Sequence, residues 1–430
     1  PPRPFVIAVD CIRDVLVGIV GSEMCIRVRT STTPLPAITE VVVSGQRRGL
    51  VVLATAMVLA MSTWFSAAAV LPALRERWEL TSAQSPWLTI AVQLGFVVGA
   101  VVLALANLVD RVPPRRLVVA GALGAATANL GLLVVDSFGP AIVLRLVTGA
   151  FLAGVYGPAI AAISTWYARG RGTAIGVMVG ALTLGSALPH LVNGIGGADH
   201  RFVLVATSAL TALGGLLAEL GTNDGPHRSK RAPFDPRAVG ALLRDQRYRL
   251  AVTGYLGHMW ELYAMWTWFA VFIAEVVSGA RASSLVTFAV IGIGAVGSWH
   301  GGRLGDHRGR IHATSAAMIA SGAVAAVIGF TVGASPVVVI GLGLLWGFWV
   351  VADSAQFSTI CTEIVPSERL GTAVTVQLAS GFVLSVTTIW LVPELQEAFG
   401  WGVAFLALAP GPVVGTWAMQ RLSRLAPTPL

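Results

Sequence analysis

The stretch Gly254-Tyr-Leu-Gly-His-Met-Trp-Glu-Leu-Tyr-Ala-Met-Trp-Thr-Trp268 lies inside an apolar run from Leu250 to Val277. That run is long enough to cross a bilayer as one helix, which takes about 20 apolar residues. Glu261 stands roughly 16 Å from the Leu250 end, near the middle of a membrane, at about 1.5 Å per residue. A carboxylate at that depth costs on the order of 3 kcal/mol unless it is protonated, paired or wetted. We therefore expect Glu261 to face a cavity that the rest of the chain encloses.

His258 lies about one helical turn before Glu261, and Met265 and Trp268 follow on the same face. A carboxyl group binds a proton more readily when it is dry, releases it when it is wetted or paired, and can share it with a nearby imidazole. We expect Glu261 to take up and release a proton in this way. The alternative is a structural hydrogen bond to a neighbouring helix. Trp260 is a further pocket candidate, although Trp260 and Glu261 cannot both point directly inward.

The composition is that of a polytopic membrane protein. Of 430 residues, 55% are hydrophobic and only 12% are charged, and the mean hydropathy is +0.76. A soluble domain carries about twice that charge. The apolar residues suffice for roughly twelve helices of about 20 residues, so the predicted class is an all-α membrane protein. The basic excess lies in short loops, which indicates membrane topology rather than nucleic-acid binding.

The sequence shows no pattern typical of cofactor or metal chemistry. Lys230, the single lysine, has no Gly-x-x-x-x-Gly-Lys context, so a phosphate-binding P-loop is absent. Cys11, Cys25 and Cys361 form no disulfide framework and no paired metal-ligand spacing. The seven histidines show no His-x-x-x-His or His-Glu-x-x-His pairing, which argues against a membrane-embedded metalloenzyme. We expect no cofactor, no metal and no enzymatic activity.

From Arg47 onward the hydrophobic pattern becomes regular and predicts two sets of six membrane spans. The first six are predicted at 50–74, 86–108, 115–135, 140–168, 172–196 and 202–220. The second six are predicted at 250–277, 283–302, 311–333, 336–364, 370–392 and 401–420. The hydrophilic connection between the sets contains three prolines. This layout predicts an N-terminal six-helix bundle at 47–221, a linker at 222–249, a C-terminal bundle at 250–422 and a tail at 423–430.

Loop charges predict the orientation, because Lys and Arg concentrate in cytoplasmic loops. One set of loops contains sixteen basic residues, namely Arg111, Arg115, Arg116, Arg169, Arg171, Arg228, Lys230, Arg231, Arg237, Arg244, Arg247, Arg249, Arg303, Arg308, Arg310 and Arg369. The opposite loops contain only four, namely Arg75, Arg77, Arg201 and Arg281. We therefore expect the first side, with both termini, to be cytoplasmic in an inner (plasma) membrane.

Residues 1–46 differ in pattern from the remainder of the chain. Cys11-Ile-Arg13 recurs as Cys25-Ile-Arg27, and the first residue is proline rather than methionine. The apolar run from Phe5 to Val20 is broken by charged residues, so it is not counted as a span. We interpret the stretch either as translated sequencing-adaptor read-through joined to a gene fragment or as a disordered cytoplasmic tail, and expect no function from it.

The clearest motif is Gly302-Arg-Leu-Gly-Asp-His-Arg-Gly-Arg310, in the turn between the eighth and ninth spans. Its glycines let two helices approach and reverse, and its carboxylate can reach the positive end of the next helix or a neighbouring arginine. Such a turn can lock one side of a protein when formed and open it when broken. The gating candidates are Gly302, Asp306, Arg308, Gly309 and Arg310. A generic basic turn is the alternative.

Here the chain resembles the major facilitator superfamily, whose signature between spans two and three, and again between eight and nine, reads Gly-x-Leu-x-Asp-Arg-x-Gly-Arg. The second copy has His307 where arginine is usual. The first copy keeps Asp110 and Arg111 as gating candidates but has Pro113 near the second glycine. The resemblance covers about residues 47–422. It implies twelve transmembrane helices in two pseudo-symmetric six-helix bundles that rock about a central site.

Arg145-Leu-Val-Thr-Gly149 in the fourth span resembles an Arg-x-x-x-Gly pattern of the same family. The resemblance implies a role for Arg145 in proton coupling or anion binding, and snorkelling to the nearby span end is the alternative. The fifth span carries small residues at helix-packing spacing, namely Gly172, Gly176, Gly180 and Gly185. Its Gly185-Ser-Ala-Leu-Pro189 departs from the Gly-Pro-x-x-Gly-Gly of the family's drug–proton antiporters.

Four further polar residues in the spans are candidates. His190 and Asn193 are expected to line the pathway, with a helix-packing or interfacial role as the alternative. Asp353 is expected to be a gate residue paired with a loop arginine, or else a cavity acid. Gln356, one turn further along the tenth span, is a pathway candidate.

The resemblance implies a secondary transporter that works by alternating access, with protons, membrane lipid and a small molecule as partners. Arg145, His190 and His258 would suit a small organic or inorganic anion taken up with protons. The alternative is a proton-driven exporter of amphipathic organic compounds, suggested by the tryptophan-rich seventh span. A channel is a third possibility, but it would lack duplicated gating turns. We expect Glu261→Gln to remove the dependence on a pH gradient, and we expect a monomer that binds no nucleic acid.

Overall fold

The computed structural model describes residues 36–167, 171–196, 199–222, 225 and 234–425. Contacts divide the chain into two units at Arg47/Arg48, and the described residues from Arg48 onward form one compact unit. Predictions made for residues 1–35, Arg169, Arg228, Lys230, Arg231 and the end of the tail at 426–430 lie outside the described residues, as does the side chain of Arg171. The second unit contains all of the predicted spans.

Helices make up nearly all of the described chain, and its described residues contain no β-strand, so the all-α class is confirmed. The first half comprises α1 (Pro36–Ala60), α2 (Ser66–Ala69), α3 (Leu71–Trp78), α4 (Trp87–Leu105), α5 (Leu108–Arg111), α6 (Pro114–Gly131), α7 (Phe138–Ser164), α8 (Arg171–Gly196) and α9 (His200–Gly221). The second half comprises α10 (Ala238–Arg244), α11 (Gln246–Val276), α12 (Ala280–Gly292), α13 (Gly294–Arg308), α14 (Arg310–Ile328), α15 (Pro336–Ala352), α16 (Ser354–Ile364), α17 (Leu370–Leu406) and α18 (Pro410–Ser423).

Eight segments of the described chain are long and apolar enough to cross a membrane. One of them, Ser367–Ser423, covers 57 residues and contains two of the predicted spans. Its long helix α17 is broken at Gly400, which has a φ of 80° that favours glycine. Helices also occupy the predicted spans at 50–74, 115–135 and 250–277, which are not among those eight. The structure thus supports a multi-pass helical protein, and the count of twelve stays a prediction.

The first predicted span is interrupted near its middle. α1 ends at Ala60, a 3-10 turn at Met61–Thr63 follows, and Phe65 leaves the helical region before α2 begins. Such an interruption frees backbone carbonyls from the helical hydrogen-bond ladder, and each then needs another donor. The guanidinium of Arg145 on α7 donates to the carbonyls of both Thr63 and Trp64. One buried cation therefore stabilises the break.

The small-residue face of α8 packs against α13 of the other half. The Ser298 hydroxyl donates to the Gly176 carbonyl at 3.0 Å. A Cβ added at Gly180 would lie 2.9 Å from the Ala295 carbonyl oxygen, closer than real Cβ contacts. The backbones of α8 and α13 therefore approach too closely for a side chain at this position, as the predicted helix-packing role implies.

Gly180→Leu is expected to destabilise the protein by about 1–3 kcal/mol, because the side chain would have to displace backbone of α13. Thermal unfolding in detergent measures the effect. Gly341→Leu on α15 is the matched control, since a Cβ there meets no atom within 4 Å. Equal melting temperatures for the two variants would contradict the close packing of α8 on α13.

Candidate transport pathway

A small cavity lies at the centre of the described unit, between helices of both halves. Its volume is about 50 Å³. The lining includes six aromatic rings, namely Phe96, Tyr156, Tyr255, Tyr263, Trp266 and Phe382. Its other polar side chains are Thr183, His258, Ser354 and Ser358. Ligand pockets are typically about 300–1,000 Å³, so this space has room for a few waters but not for a larger ligand.

The aromatic rings close the cavity from both sides of the interface between the halves. Phe382 on α17 lies 4.7 Å from Phe96 on α4 and 5.2 Å from Tyr263 on α11, measured between ring centroids. Trp64 lies 5.9 Å from Tyr263 and is stacked on it. Pairs of this kind add about 0.5–1.5 kcal/mol each beyond burial. Apolar contact between the halves therefore holds the cavity shut.

His258 is a lining residue that contacts a buried carboxylate. Its Nδ1 lies 2.9 Å from Asp353 Oδ1, and its Nε2 lies 2.9 Å from the Ser354 hydroxyl. The side chains of His258 and Asp353 are only 3% and 2% exposed. Asp353 stands in the break between α15 and α16. The expectation that Asp353 pairs with a loop arginine is wrong in this structure: its partner is His258, beside the cavity.

Glu261 lies behind the cavity wall rather than in it. Its Oε1 accepts a hydrogen bond from Trp346 Nε1 at 2.5 Å, and its Oε2 accepts one from the Ser321 hydroxyl at 2.9 Å. It is 1% exposed and is not part of the cavity lining. The expectation that Glu261 faces the cavity and shares a proton with His258 is therefore corrected. Its carboxylate joins α11 to α14 and α15, which is the structural alternative.

Arg145 is buried in the N-terminal half, at 1% exposure, so it does not snorkel. Besides the carbonyls at the break in the first span, it donates to Leu88 O at 3.0 Å, Ser66 Oγ at 3.2 Å and Asn129 Oδ1 at 3.3 Å. These acceptors occupy its donors, and Arg145 does not line the cavity. Arg145 was predicted to lie in the pathway, and this prediction is corrected: the side chain is packed between helices of the N-terminal half.

Three other predicted pathway residues also lie away from the cavity lining. Asn193 Nδ2 donates to Ala69 O and to the Ser284 hydroxyl, both at 2.9 Å. It thereby bridges the two halves at the end of α8 remote from the 222–249 connection. His190 is buried, and its Nε2 has no hydrogen-bond partner among the described residues. Trp260 Nε1 donates to Ala407 O at 2.9 Å, toward the helix pair α17–α18.

A polar network closes the side that carries the 222–249 connection, hereafter the linker side. Arg310 Nη1 donates to Asp306 Oδ1 at 2.6 Å. The second Asp306 oxygen, Oδ2, accepts from the Thr173 backbone N–H at 3.1 Å and from its hydroxyl at 2.5 Å. Because Thr173 lies in the first turn of α8, this carboxylate satisfies a helix N-terminus in the other half. The turn predicted to act as a lock thus contacts the other half, and its action as a lock stays a prediction.

Gln356 belongs to this network and not to the cavity lining, which corrects its predicted place. Arg310 Nη1 donates to Gln356 Oε1 at 3.2 Å, and Arg310 Nε donates to Glu363 Oε1 at 3.3 Å. Sequence reasoning missed Thr173 and Glu363, because nothing in the local pattern shows which distant residue meets the turn.

The two copies of the turn differ in the contacts that their remaining residues make. Gly309 has a φ of 91° and ends α13, and Gly302 packs against the backbone of α8. Arg308 is exposed. In the first copy, Asp110 and Arg111 lie in the short helix α5, and neither makes a side-chain hydrogen bond or ion pair within the described residues. Within the described residues, the second copy of the turn thus makes hydrogen bonds to the other half and the first copy does not.

The sequence between residues 53 and 388 matches the family model described as Major Facilitator Superfamily. The chain belongs to the Major Facilitator Superfamily. No curated protein matches the sequence. Family membership makes the chain a multi-pass membrane protein and a secondary transporter of a small molecule. The Asp306–Thr173 contact on the linker side and the Asn193–Ser284 contact on the opposite side both join the two halves.

Proposed function

We propose that this member of the Major Facilitator Superfamily is a proton-coupled transporter of an amphipathic organic compound with an aromatic or apolar body. The observation that supports it most is the cavity wall of six aromatic rings. Aromatic faces bind planar or apolar groups, whereas a small anion requires converging cationic donors. Of the three basic residues expected to serve an anion, only His258 lines the cavity. Of the two functions predicted from the sequence, we therefore prefer proton-driven transport of amphipathic organic compounds over transport of a small anion.

One lining group supplies a polar anchor for such a compound. Trp266 Nε1 is buried and has no hydrogen-bond partner within the described residues. A buried donor left unpaired costs about 1–3 kcal/mol, so it favours a bound acceptor once the cavity widens. The compound is accordingly expected to carry a hydrogen-bond acceptor beside its apolar body.

The proposed path of the proton runs through His258 and Asp353. A neutral imidazole that takes up a proton beside a carboxylate forms an ion pair, which changes the electrostatics of the cavity wall. Asp353 lies at the break between α15 and α16, where a helix can bend without losing interior hydrogen bonds, and His258 contacts it from α11. We propose that protonation here is linked to the opening of one side or the other.

The proposal is tested with purified protein in liposomes under an imposed pH gradient. Two panels of solutes are compared: small carboxylates with inorganic oxyanions, and amphipathic aromatic compounds. Gradient-dependent movement is expected for members of the second panel. Movement of the first panel alone would contradict the proposed substrate class. If neither panel moves and the protein instead shows an open conductance in planar bilayers, transport by alternating access would be contradicted.

Glu261→Gln is expected to leave gradient-dependent transport intact, the opposite of what the sequence suggested. The amide can accept from Trp346 with its oxygen and donate to Ser321 with its nitrogen, so both contacts survive. Glu261→Leu leaves Trp346 Nε1 without an acceptor, while Ser321 keeps only its 3.4 Å contact with Met318 O, and it is expected to cost about 1–3 kcal/mol of stability. Vesicle transport and thermal unfolding measure the two effects. Loss of gradient dependence in a stably folded Glu261→Gln protein would restore Glu261 as the proton site.

A further inference from the structure

A second and larger cavity lies on the linker side, at the ends of α11 and α18. Its volume is about 370 Å³. It is lined by Gln246, Leu250, Trp417, Gln420, Arg421 and Arg424. The side chains come from the first turns of α11 and the last turns of α18. This cleft is separate from the central cavity and shares no lining residue with it.

The cleft carries positive charge without a matching carboxylate. Arg421 and Arg424 lie three residues apart, so they share one face of α18, and both are exposed. Neither makes a hydrogen bond or ion pair within the described part of the chain. The neighbouring Asp245 caps α11, since its Oδ1 accepts from the backbone N–H groups of Arg247 and Tyr248, and it makes no ion pair with either arginine of the cleft. Two guanidinium forks therefore face the cleft with their donors free, a geometry that matches phosphate oxygens.

The other wall of the cleft is apolar and continues along α18. Trp417 is 60% exposed, and Val413, one turn earlier, is 68% exposed. In a membrane protein, tryptophan is typical of the level where acyl chains meet headgroups. The arginines follow Trp417 by one to two turns toward the end of the helix. The sequence of surfaces along α18 is thus apolar, aromatic and then cationic, which is the order of an acyl chain, its glycerol and its phosphate.

We propose that this cleft binds the phosphate of an anionic phospholipid, with Arg421 and Arg424 on the phosphate oxygens and the acyl chains along the exposed face of α18. Gln246 and Gln420 supply further donors to the polar part of the headgroup. A free phosphate would satisfy the arginines but would leave the apolar wall uncovered. A lipid uses both walls, so it fits the cleft better than a free ion does.

The test uses the full chain in a neutral detergent and measures its thermal unfolding with three additives. These are phosphatidylglycerol, phosphatidylcholine with the same acyl chains, and glycerol phosphate. Phosphatidylglycerol is expected to raise the melting temperature by at least about 2 °C more than either of the others. The double variant R421Q/R424Q is expected to lose that increment, and native mass spectrometry is expected to show one fewer retained phosphatidylglycerol.

The matched control is R111Q/R116Q, which removes the same charge from another exposed part of the linker side. It is expected to keep the full increment. An equal shift with phosphatidylcholine would overturn the anionic preference, and an equal shift with glycerol phosphate would overturn a lipid as the occupant. An unchanged increment in R421Q/R424Q would overturn the site itself. Should that variant fail to fold, R424Q, just beyond the last residue of α18, provides the same comparison.

Discussion

His258→Gln is expected to abolish proton-driven transport while leaving downhill exchange of the substrate intact. His258 lines the central cavity, and its Nδ1 lies 2.9 Å from Asp353 Oδ1. Glutamine fills a similar space but cannot take up the proton. A gradient of one pH unit supplies about 1.4 kcal/mol per proton, equivalent to about tenfold accumulation. The variant is expected to show no accumulation in vesicles under that gradient.

Two further variants make this result specific. Asp353→Asn is expected to behave like His258→Gln, because it removes the carboxylate that lies 2.9 Å from the imidazole. His300→Gln is the matched control, since His300 packs on Phe348 and Trp349 at 5.7 and 6.0 Å between ring centroids and does not line the cavity. Wild-type accumulation by His258→Gln would exclude this pair as the coupling site.

Asp306→Asn is expected to shift the protein toward a form that is open on the linker side. The substitution removes the charge that binds Arg310 and weakens the two hydrogen bonds from Thr173. A hydrogen bond to a charged group contributes about 1.5–3 kcal/mol, so the equilibrium between closed and open forms is expected to change by about ten- to a hundredfold. Spin labels at Arg116 and His312, both exposed near that side, measure the separation of the halves.

Asp110→Asn provides the matched control, because Asp110 occupies the first copy of the turn and has no partner among the described residues. It is expected to leave the distance distribution unchanged. Thr173→Val removes the hydroxyl donor from the other half and is expected to act in the same direction as Asp306→Asn. If Asp306→Asn and Asp110→Asn give the same distribution as the wild type, the turn at 302–310 does not hold the halves together.

Much of the architecture could be predicted from local pattern. Runs of apolar residues predicted where helices lie, and the glycines and acid of the 302–310 turn predicted a helix reversal with a paired carboxylate, because they act within a few residues of one another. The role of that turn as a lock stays a prediction. The partner of that lock, Thr173, lies 133 residues away in the chain. Only the packing of α8 on α13 brings it to Asp306, so local pattern could not identify it.

The choice between Glu261 and Asp353 could not be made from sequence. Both are buried acids inside apolar runs, and hydropathy gives the depth of each but not the direction in which it points. His258 and Glu261 are three residues apart, which is about 60° around a helix. That angle suffices to place the imidazole at the cavity and the carboxylate against α14 and α15. The break in the first span, whose free carbonyls explain why Arg145 is buried there, gave no sequence signal either.

The most direct test of alternating access is the accessibility of a single cysteine at Ser358, which lines the central cavity. Cys11, Cys25 and Cys361 are replaced by serine, and a membrane-impermeant maleimide is added from either side of oriented vesicles. The proposed mechanism predicts labelling from the linker side in Asp306→Asn and from the opposite side in Asn193→Ala. Labelling from the same side in both variants, or from neither side in either, would contradict alternating access to this cavity.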